Sequence, residues 1–352
     1  SIGAVKKVKE KSTCTQTTIY GKKIGTINEN FVYYYMLGNR KKLFYFDNTA
    51  IPQITTKQVS DNYISYPSHQ EQKKIASFLD KKTAEFDNII EKKQSLITKL
   101  TEAKKSLISE VVTGKKEVIF DNGHLTIRDR TDDEMKDSGV EWLGKIPKEW
   151  EISKVKYSTY VKGRIGWQGL KSDEFIDEGP FLVTGTDFKD NKINWDTCYH
   201  VSEERYNEAK YIQLQNNDLL ITKDGTIGKT AIVENCPKQA VLNSGIFLTR
   251  CINNEYITKF MFHILNSKVF ETYIDITKTG STIQHLYQET FVNFSYSLPT
   301  LQEQQLIVDF LDKKTAKIDS TIERIKLQIE KLKEAKQSLI SEAVTGKIEV
   351  LD

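Results

Sequence analysis

Two stretches of the chain carry apolar residues at steps of four and three over a long run. In the first, Phe86, Ile90, Ile97, Leu100 and Leu107 hold the pattern; in the second, Ile318, Ile322, Ile325, Ile329, Leu332 and Leu339 hold it. Lys, Glu and Gln fill the positions between. This spacing keeps a narrow seam on one side of an α-helix, as in a coiled coil. Each run begins after a proline, Pro67 or Pro299, and finishes at Thr113-Gly114 or Thr345-Gly346, which are reasonable start and stop signals. The pattern predicts two amphipathic helices of around 38 residues, each about 57 Å long. No small domain needs that length for its own core, so the helices are expected to pair as a spacer. Two separate surface helices would also satisfy the pattern.

The two runs are copies of one another. QEQKKIASFLDKKTAEFDNIIEKKQSLITKLTEAKKSLISEVVTGKKEV, 70 to 118, aligns without gaps on QEQQLIVDFLDKKTAKIDSTIERIKLQIEKLKEAKQSLISEAVTGKIEV, 302 to 350, with roughly 30 of about 49 positions identical. The register continues upstream, where NTAIPQITTKQVSDNYISYPSHQEQ, 48 to 72, lies over GSTIQHLYQETFVNFSYSLPTLQEQ, 280 to 304. Further back, SIGAVKKV at 1 to 8 matches TIGKTAIV at 226 to 233. The near-identity of EAKKSLISE and EAKQSLISE suits docking of two copies of one partner, with Lys104 and Lys336 as contacts if they face outward.

The stretch KDGTIGKTAIV, 223 to 233, ends in the Gly-Lys-Thr of phosphate-binding loops. The spacing G-x-x-x-x-G-K-T would require glycine at 223, where Lys223 stands. The first copy has Ala4 in place of Lys229, so the lysine is not part of the shared pattern. The stretch reads instead as a tight turn between the strands LLITK and KTAIV, with Gly225 and Gly228 supplying unusual backbone angles.

The chain has 352 residues, 38% of them hydrophobic, enough for two or three domains. It lacks any run of eighteen apolar residues and a signal-like N-terminus, so no membrane span is expected and a cytoplasmic location follows by default. Ser1 in place of Met points to a fragment or a trimmed chain. Cys14, Cys198, Cys236 and Cys251 are scattered and form no C-x-x-C pair, which predicts isolated buried thiols rather than a metal site or disulfide framework. Net charge is only +3 on 28% charged residues, so local clusters must decide whether nucleic acid is a partner.

Catalytic signatures are missing. The six prolines form no Asn-Pro-Pro-aromatic methyltransferase motif and no Pro-Asp nuclease opening, and the five histidines form no H-E-x-x-H. The region 150 to 298 instead alternates short strands with glycine turns. Its VKGRIGWQGLKSDEF, 161 to 175, interleaves Lys162, Arg164 and Lys171 with Trp167 and Gln168. Such a loop suits phosphate contacts and base-edge hydrogen bonds, or is an ordinary solvated loop. TKTGSTIQHL, 277 to 286, offers Lys278, Ser281, Gln284 and His285 as further donors.

The duplicated helix ending LISE-x-VTGK, the QEQ-x-x-I helix start, GSTIQHL, TKDGTIGK, and MKDSGVEWLGKIPKEWE at 135 to 151 together resemble the specificity (S) subunits of type I restriction-modification systems. The resemblance covers nearly the whole chain. It implies an α+β architecture: globular mixed α/β target recognition domains joined by two long helices that form an antiparallel coiled coil. It also implies a non-catalytic subunit that reads a bipartite DNA target, with the helices acting as a ruler between half-sites. The partners it implies are double-stranded DNA, two methyltransferase (M) subunits and the restriction/translocase (R) subunits, without a membrane. S-adenosylmethionine, ATP and Mg would belong to the partners, and no cofactor or metal to this chain.

On this resemblance the expected divisions are the C-terminal part of a first recognition domain (1–66), the first spacer helix (67–118), a linker and lead-in (119–149), a second recognition domain (150–298) and the second spacer helix (299–352). A family member would open with a lead-in and a complete first recognition domain, whereas this chain starts at the turn, without a counterpart of about 136 to 225. The DNA-contact candidates are Lys162, Arg164, Trp167, Gln168 and Lys171, then Lys223 and Lys229, then Lys278, Ser281, Gln284 and His285. Two alternatives remain: a non-enzymatic coiled-coil scaffold, which leaves the aromatic, glycine-rich region unexplained, and a P-loop-like nucleotide-binding protein, which accounts for Gly-Lys-Thr alone.

Overall fold

A computed structural model of the chain describes residues 3–8, 10–15, 17–44, 54–165, 169–277 and 285–350. Two compact units are present, residues 1–99 with 320–352, and residues 100–319. The first contains α1 (Glu29–Gly38), α2 (Arg40–Leu43), α3 (Thr56–Ser60), the beginning of α4 (His69–Val112) and the end of α10 (Leu301–Val344). Asn28 starts α1 by accepting the Phe31 backbone N–H at 3.0 Å, which satisfies one of the donors a helix start leaves open. Phe31 and Tyr34 then pack against Leu79 of α4 and Ile340, Ala343 and Val344 of α10. Gly38 lets α1 approach α10 closely, since a Cβ there would lie 2.9 Å from the Ser341 Cα.

The second unit begins with two hairpins. β1 (Lys116–Asp121) pairs with β2 (His124–Asp129), turning through Asn122 and Gly123 at φ of 49° and 79°, and β3 (Met135–Asp137) pairs with β4 (Lys145–Pro147). β5 (Glu151–Lys154) pairs antiparallel with the distant β15 (Ser295–Leu298). After α5 (Val155–Ser158), β6 (Thr159–Gly163) forms the edge of a six-stranded sheet of order β6-β14-β11-β12-β9-β8. Its other strands are β8 (Phe188–Lys189), β9 (Lys192–Ile193), β11 (Leu219–Thr222), β12 (Thr230–Ile232) and β14 (Ile246–Cys251). A second sheet, β10-β7-β13, uses β7 (Ile176–Val183), β10 (Tyr199–His200) and β13 (Ala240–Leu242).

The unbroken apolar run of β11 reflects burial on both faces. Leu219 and Ile221 enter one core, with Phe247, Trp150 and residues of α4, α10 and α7 (Thr258–Leu265), while Leu220 enters the other, with Leu182, Ala231, Val241 and Leu248. Helix α6 (Glu203–Glu208) lies before β11; α8 (Lys268–Thr277) and α9 (Gln288–Val292) precede β15.

Helices α4 and α10 are 44 residues each, about 66 Å and longer than the sequence pattern predicted, because both begin within two residues of their proline. The first helix ends at the Thr113-Gly114 stop signal, and the division drawn at residue 118 falls inside a strand. α4 stops at Val112, Gly114 takes φ of 71°, and β1 starts at Lys116, so 119–149 is not a plain linker but holds hairpins.

The antiparallel pairing is visible within the first unit, where Lys336 Nζ meets both carboxylate oxygens of Asp87 at 2.7 Å and Lys93 Nζ donates to Gln328 Oε1 at 2.7 Å. In the second unit Lys104 Nζ meets Asp319 at 2.6 and 2.7 Å. Lys104–Asp319 and Asp87–Lys336 are equivalent positions of the repeat. Both lysines therefore turn toward the facing helix rather than outward. Among the seam residues, Ile322, Ile325 and Ile329 are buried, and Phe86, Ile90, Ile97, Leu100, Leu107, Ile318, Leu332 and Leu339 are half-buried.

The repeat also shows in the contacts at each helix start. Gln72 Oε1 accepts the Asn28 N–H at 2.8 Å and its Nε2 donates to Pro67 O at 2.9 Å. In the second unit Gln304 Oε1 accepts the Ile257 N–H at 2.8 Å and its Nε2 donates to Pro299 O at 3.0 Å. Two turns on, Tyr34 donates to Asp80 at 2.7 Å in one unit, and the buried His263 Nε2 meets Asp312 at 2.8 Å in the other.

This last difference predicts a pH dependence. Burial pushes the His263 imidazole below its ordinary value, and the His263 bond holds the Asp312 carboxyl down to about 2. The folded unit keeps His263 neutral, while the unfolded chain takes up a proton below about 6.5, so stability falls as pH drops through that value. The contribution of Asp312 is present above its unfolded value of about 3.9 and is lost only near 2, outside this window. The thermal midpoint of the second unit should fall between pH 7.5 and 5.5, and His263→Tyr, copying Tyr34, should flatten that fall. Equal slopes in both proteins would contradict the assignment.

Candidate nucleic-acid interface

One end of the six-stranded sheet gathers chain segments that are far apart in sequence. The antiparallel strands β11 and β12 are joined by the 223–229 turn, with Gly225 at φ of 67° and Gly228 at 82°. In the first unit the matching glycine of the repeat, Gly3, takes φ of 68°. Thr222 holds this turn together: its N–H donates to Lys229 O at 2.9 Å, its carbonyl accepts from Gly228 N at 3.0 Å, and its Oγ1 accepts from Lys229 N at 3.0 Å and donates to Thr226 O. At the same sheet end β6 finishes at Gly163 and β14 begins at Ile246, paired through Gly163 and Phe247. A Cβ on Gly163 would lie 3.0 Å from the Phe247 ring, so glycine is what lets the strand leave the sheet there.

The backbone stitches further segments onto this end. Lys223 N donates to Gly245 O at 2.9 Å and Leu286 N to Lys223 O at 2.8 Å, while the Asp224 and His285 side chains hydrogen bond. Lys223, Asp224 and His285 are thus brought together from the TKDGTIGK and GSTIQHL stretches. The Lys223 ammonium lies 5.1 Å from the Phe247 ring centroid, and the exposed Lys229 donates to Gly185 O at 3.2 Å while lying 5.7 Å from the Phe188 ring. The turn joins two antiparallel strands and leads into no helix, so it offers no helix N-terminus to a phosphate, as a P-loop would.

Lys162 is exposed on β6, with its ammonium 5.9 Å from the Tyr160 ring. Lys171 is exposed at the start of a short 3-10 turn, where its N–H donates to Glu174 at 2.8 Å. Arg164 departs from the expectation. It is 4% exposed, and its Nε donates to Leu242 O at 2.9 Å, tying the departing β6 chain to β13. Burial also pulls its pKa below the usual arginine range. A guanidinium committed in this way is a structural tie rather than a base-reading group. Trp167, Gln168, Lys278, Ser281 and Gln284 lie outside the described residues.

Sequence reasoning missed Asp224, Thr186 and Tyr287. Tyr287 is 66% exposed with its ring centroid 4.7 Å from that of His285, and Thr186 is exposed on the segment that receives Lys229. The hydroxyl-rich TGTD and HLY stretches were the available signal. The thiols are dispersed, but the expected burial holds only for Cys198, with Cys236 and Cys251 half-buried and Cys14 exposed; burial raises Cys198 to about 12 and Cys236 to about 11. Among the described residues no group of His, Cys, Asp and Glu could hold a metal ion, and no helix is long and apolar enough to cross a membrane.

The family model for the type I restriction modification DNA specificity domain matches residues 1–99 and 147–331. The type I restriction enzyme MjaVIII specificity subunit of Methanocaldococcus jannaschii is 24% identical over 309 residues, covering 86% of this chain and 66% of the relative. The EcoBI specificity subunit of Escherichia coli is 22% identical over 304 residues, covering 86% and 61%. The chain therefore spans just under two thirds of the length of these relatives. A solved structure described as the basis of complex assembly and conformational transition of the type I R-M system shares the fold, with a TM-score of 0.63 at 15% identity over 92% of this chain and 72% of that one. With most of its length matched, on both copies of the internal repeat, the chain belongs to the type I restriction modification DNA specificity domain family.

Proposed function

We propose that this chain is the DNA sequence-recognition subunit of a type I restriction-modification complex. The observation that carries the reading is the sheet end where the 223–229 turn, the start of β14 and the 285–287 stretch meet, so that Lys223, Lys229, His285 and Tyr287 lie on adjoining segments. Lysines there supply phosphate contacts that set register, and the hydroxyl, imidazole and carboxylate groups supply base-edge contacts. Docked methyltransferase and restriction subunits would carry the chemistry, with S-adenosylmethionine, ATP and Mg, in the cytoplasm. The paired helices would fix the number of unread base pairs between half-sites.

Lys223→Ala and Lys229→Ala should each weaken binding to every DNA sequence and lower the salt slope by about 0.9. Arg164→Ala should instead lower the thermal midpoint by leaving the Leu242 carbonyl unpaired, at a cost of about 1 to 3 kcal/mol. Filter binding across salt concentrations and thermal melts separate the two classes. Wild-type affinity and salt slope in the double lysine variant would remove this edge from the interface.

Inserting one heptad at matching places in α4 and α10 keeps the seam in phase and lengthens each helix by about 10 Å. Methylated sites, mapped by sequencing from the assembled complex, should then gain about three base pairs of spacer with unchanged half-sites. Three base pairs also rotate the second half-site, so binding should weaken as well. An unchanged spacer would refute the ruler.

A further inference from the structure

The side chains of the 184–187 turn form a hydrogen-bond relay that runs in one direction. Val183 ends β7 in register with Leu242 of β13, and the chain then turns through Thr184, Gly185 and Thr186 to Asp187. The turn lies against the 223–229 segment. Lys229 Nζ donates to Gly185 O at 3.2 Å, and a Cβ on Gly185 would lie 3.0 Å from Thr222 Cγ2. Asp187 is 3% exposed and closes the turn from inside: its Oδ2 accepts the Thr184 N–H at 2.7 Å and the Thr184 hydroxyl at 2.8 Å, and its Oδ1 accepts the Thr197 hydroxyl at 2.9 Å.

A hydroxyl has one proton, and a carboxylate has none to give. The Thr184 proton therefore goes to Asp187, the stronger of its two acceptors. In the 2.7 Å contact between the Thr184 and Thr186 hydroxyls, Thr186 must then be the donor. Thr186 is exposed, so its oxygen faces outward with lone pairs and no proton. Phosphate oxygens and base carbonyls are acceptors themselves and gain nothing from such a group. The donors that a DNA duplex presents in its grooves are the exocyclic amino groups: N6 of adenine, N4 of cytosine and N2 of guanine.

We propose that Thr186 is a specificity-determining residue that accepts a hydrogen bond from the exocyclic amino group of one base, with Thr184 and Asp187 as positioning residues that set the direction of its proton. The assignment rests on the DNA-reading function proposed above and divides the labour at this sheet end. The neighbouring Lys229 ammonium is a donor and suits a phosphate, whereas Thr186 is an acceptor that a phosphate cannot use.

Methylated sites are mapped from the assembled complex carrying the wild-type chain, Thr186→Val or Thr186→Ser. Thr186→Val keeps the shape and removes the oxygen, so one position of one half-site should relax while the rest of the site and the thermal midpoint stay unchanged. Thr186→Ser keeps the relay and should restore the wild-type site. Duplexes lacking the amino group at the relaxed position, with purine for adenine, 2-pyrimidinone for cytosine or hypoxanthine for guanine, are then compared by filter binding. Deleting the amino group should weaken wild-type binding about tenfold and leave Thr186→Val binding unchanged. Thr184→Val frees the Thr186 proton to turn outward, and this variant should lose the dependence on the amino group while keeping a preference at that position, which a merely structural role would not produce. An unchanged site in Thr186→Val, an equal loss of affinity for all sequences, or an amino-group deletion that costs wild type and Thr186→Val alike overturns the assignment. Wild-type methylation without a preferred site would defeat the DNA-reading function and this assignment with it.

Discussion

A buried primary amide at the start of each long helix fixes the rest. Gln304 has 0% exposure and makes three bonds to two chain segments, accepting from Ile257 N and donating to Glu255 O and Pro299 O. An amide in such a place must find partners for both ends, because an unpaired buried donor or acceptor costs about 1 to 3 kcal/mol. One side chain thereby sets where α10 begins, how the proline loop enters it and where α7 starts. Gln72 does the same work for α4 and α1. The apolar seam then needs only to continue a direction already given.

From these anchors the two copies diverge in graded fashion. The backbone contacts of the glutamines are kept, and so are the Lys–Asp pairs between the helices. The partner of the conserved aspartate changes from Tyr34 to His263, and a neighbouring contact changes from Asn30 to Lys259. Phe31 and Phe260 fill matching places at 0% exposure. The repeat therefore holds its framework through polar atoms in buried, geometrically demanding positions and lets the groups around them vary.

The helices, their seam and their pairing were legible in the sequence because period and repetition are local signals. The turn at 223–229 was legible too, since glycines at positive φ and flanking apolar runs announce it. What escaped depends on partners far along the chain. Lys93 and Lys104 occupy seam positions that a hydrophobic pattern skips, because their stems are half-buried while the ammonium reaches the facing helix. Arg164 looks like a loop cation until the Leu242 carbonyl, 78 residues on, takes its Nε–H. β5 is a strand only because β15 lies beside it. The meeting of Asp224 and His285 spans 61 residues and left only the polar character of each stretch to be read.

The turn at 223–229 separates framework from cargo. Its internal shape rests on backbone atoms and the Thr222 hydroxyl, while the side chains of Lys223, Asp224 and Lys229 reach out to Phe247, His285 and Gly185 on neighbouring segments. Such a loop behaves like a printer's frame with removable type. Its outward characters can be reset, by drift or by design, without recasting the strands that hold them.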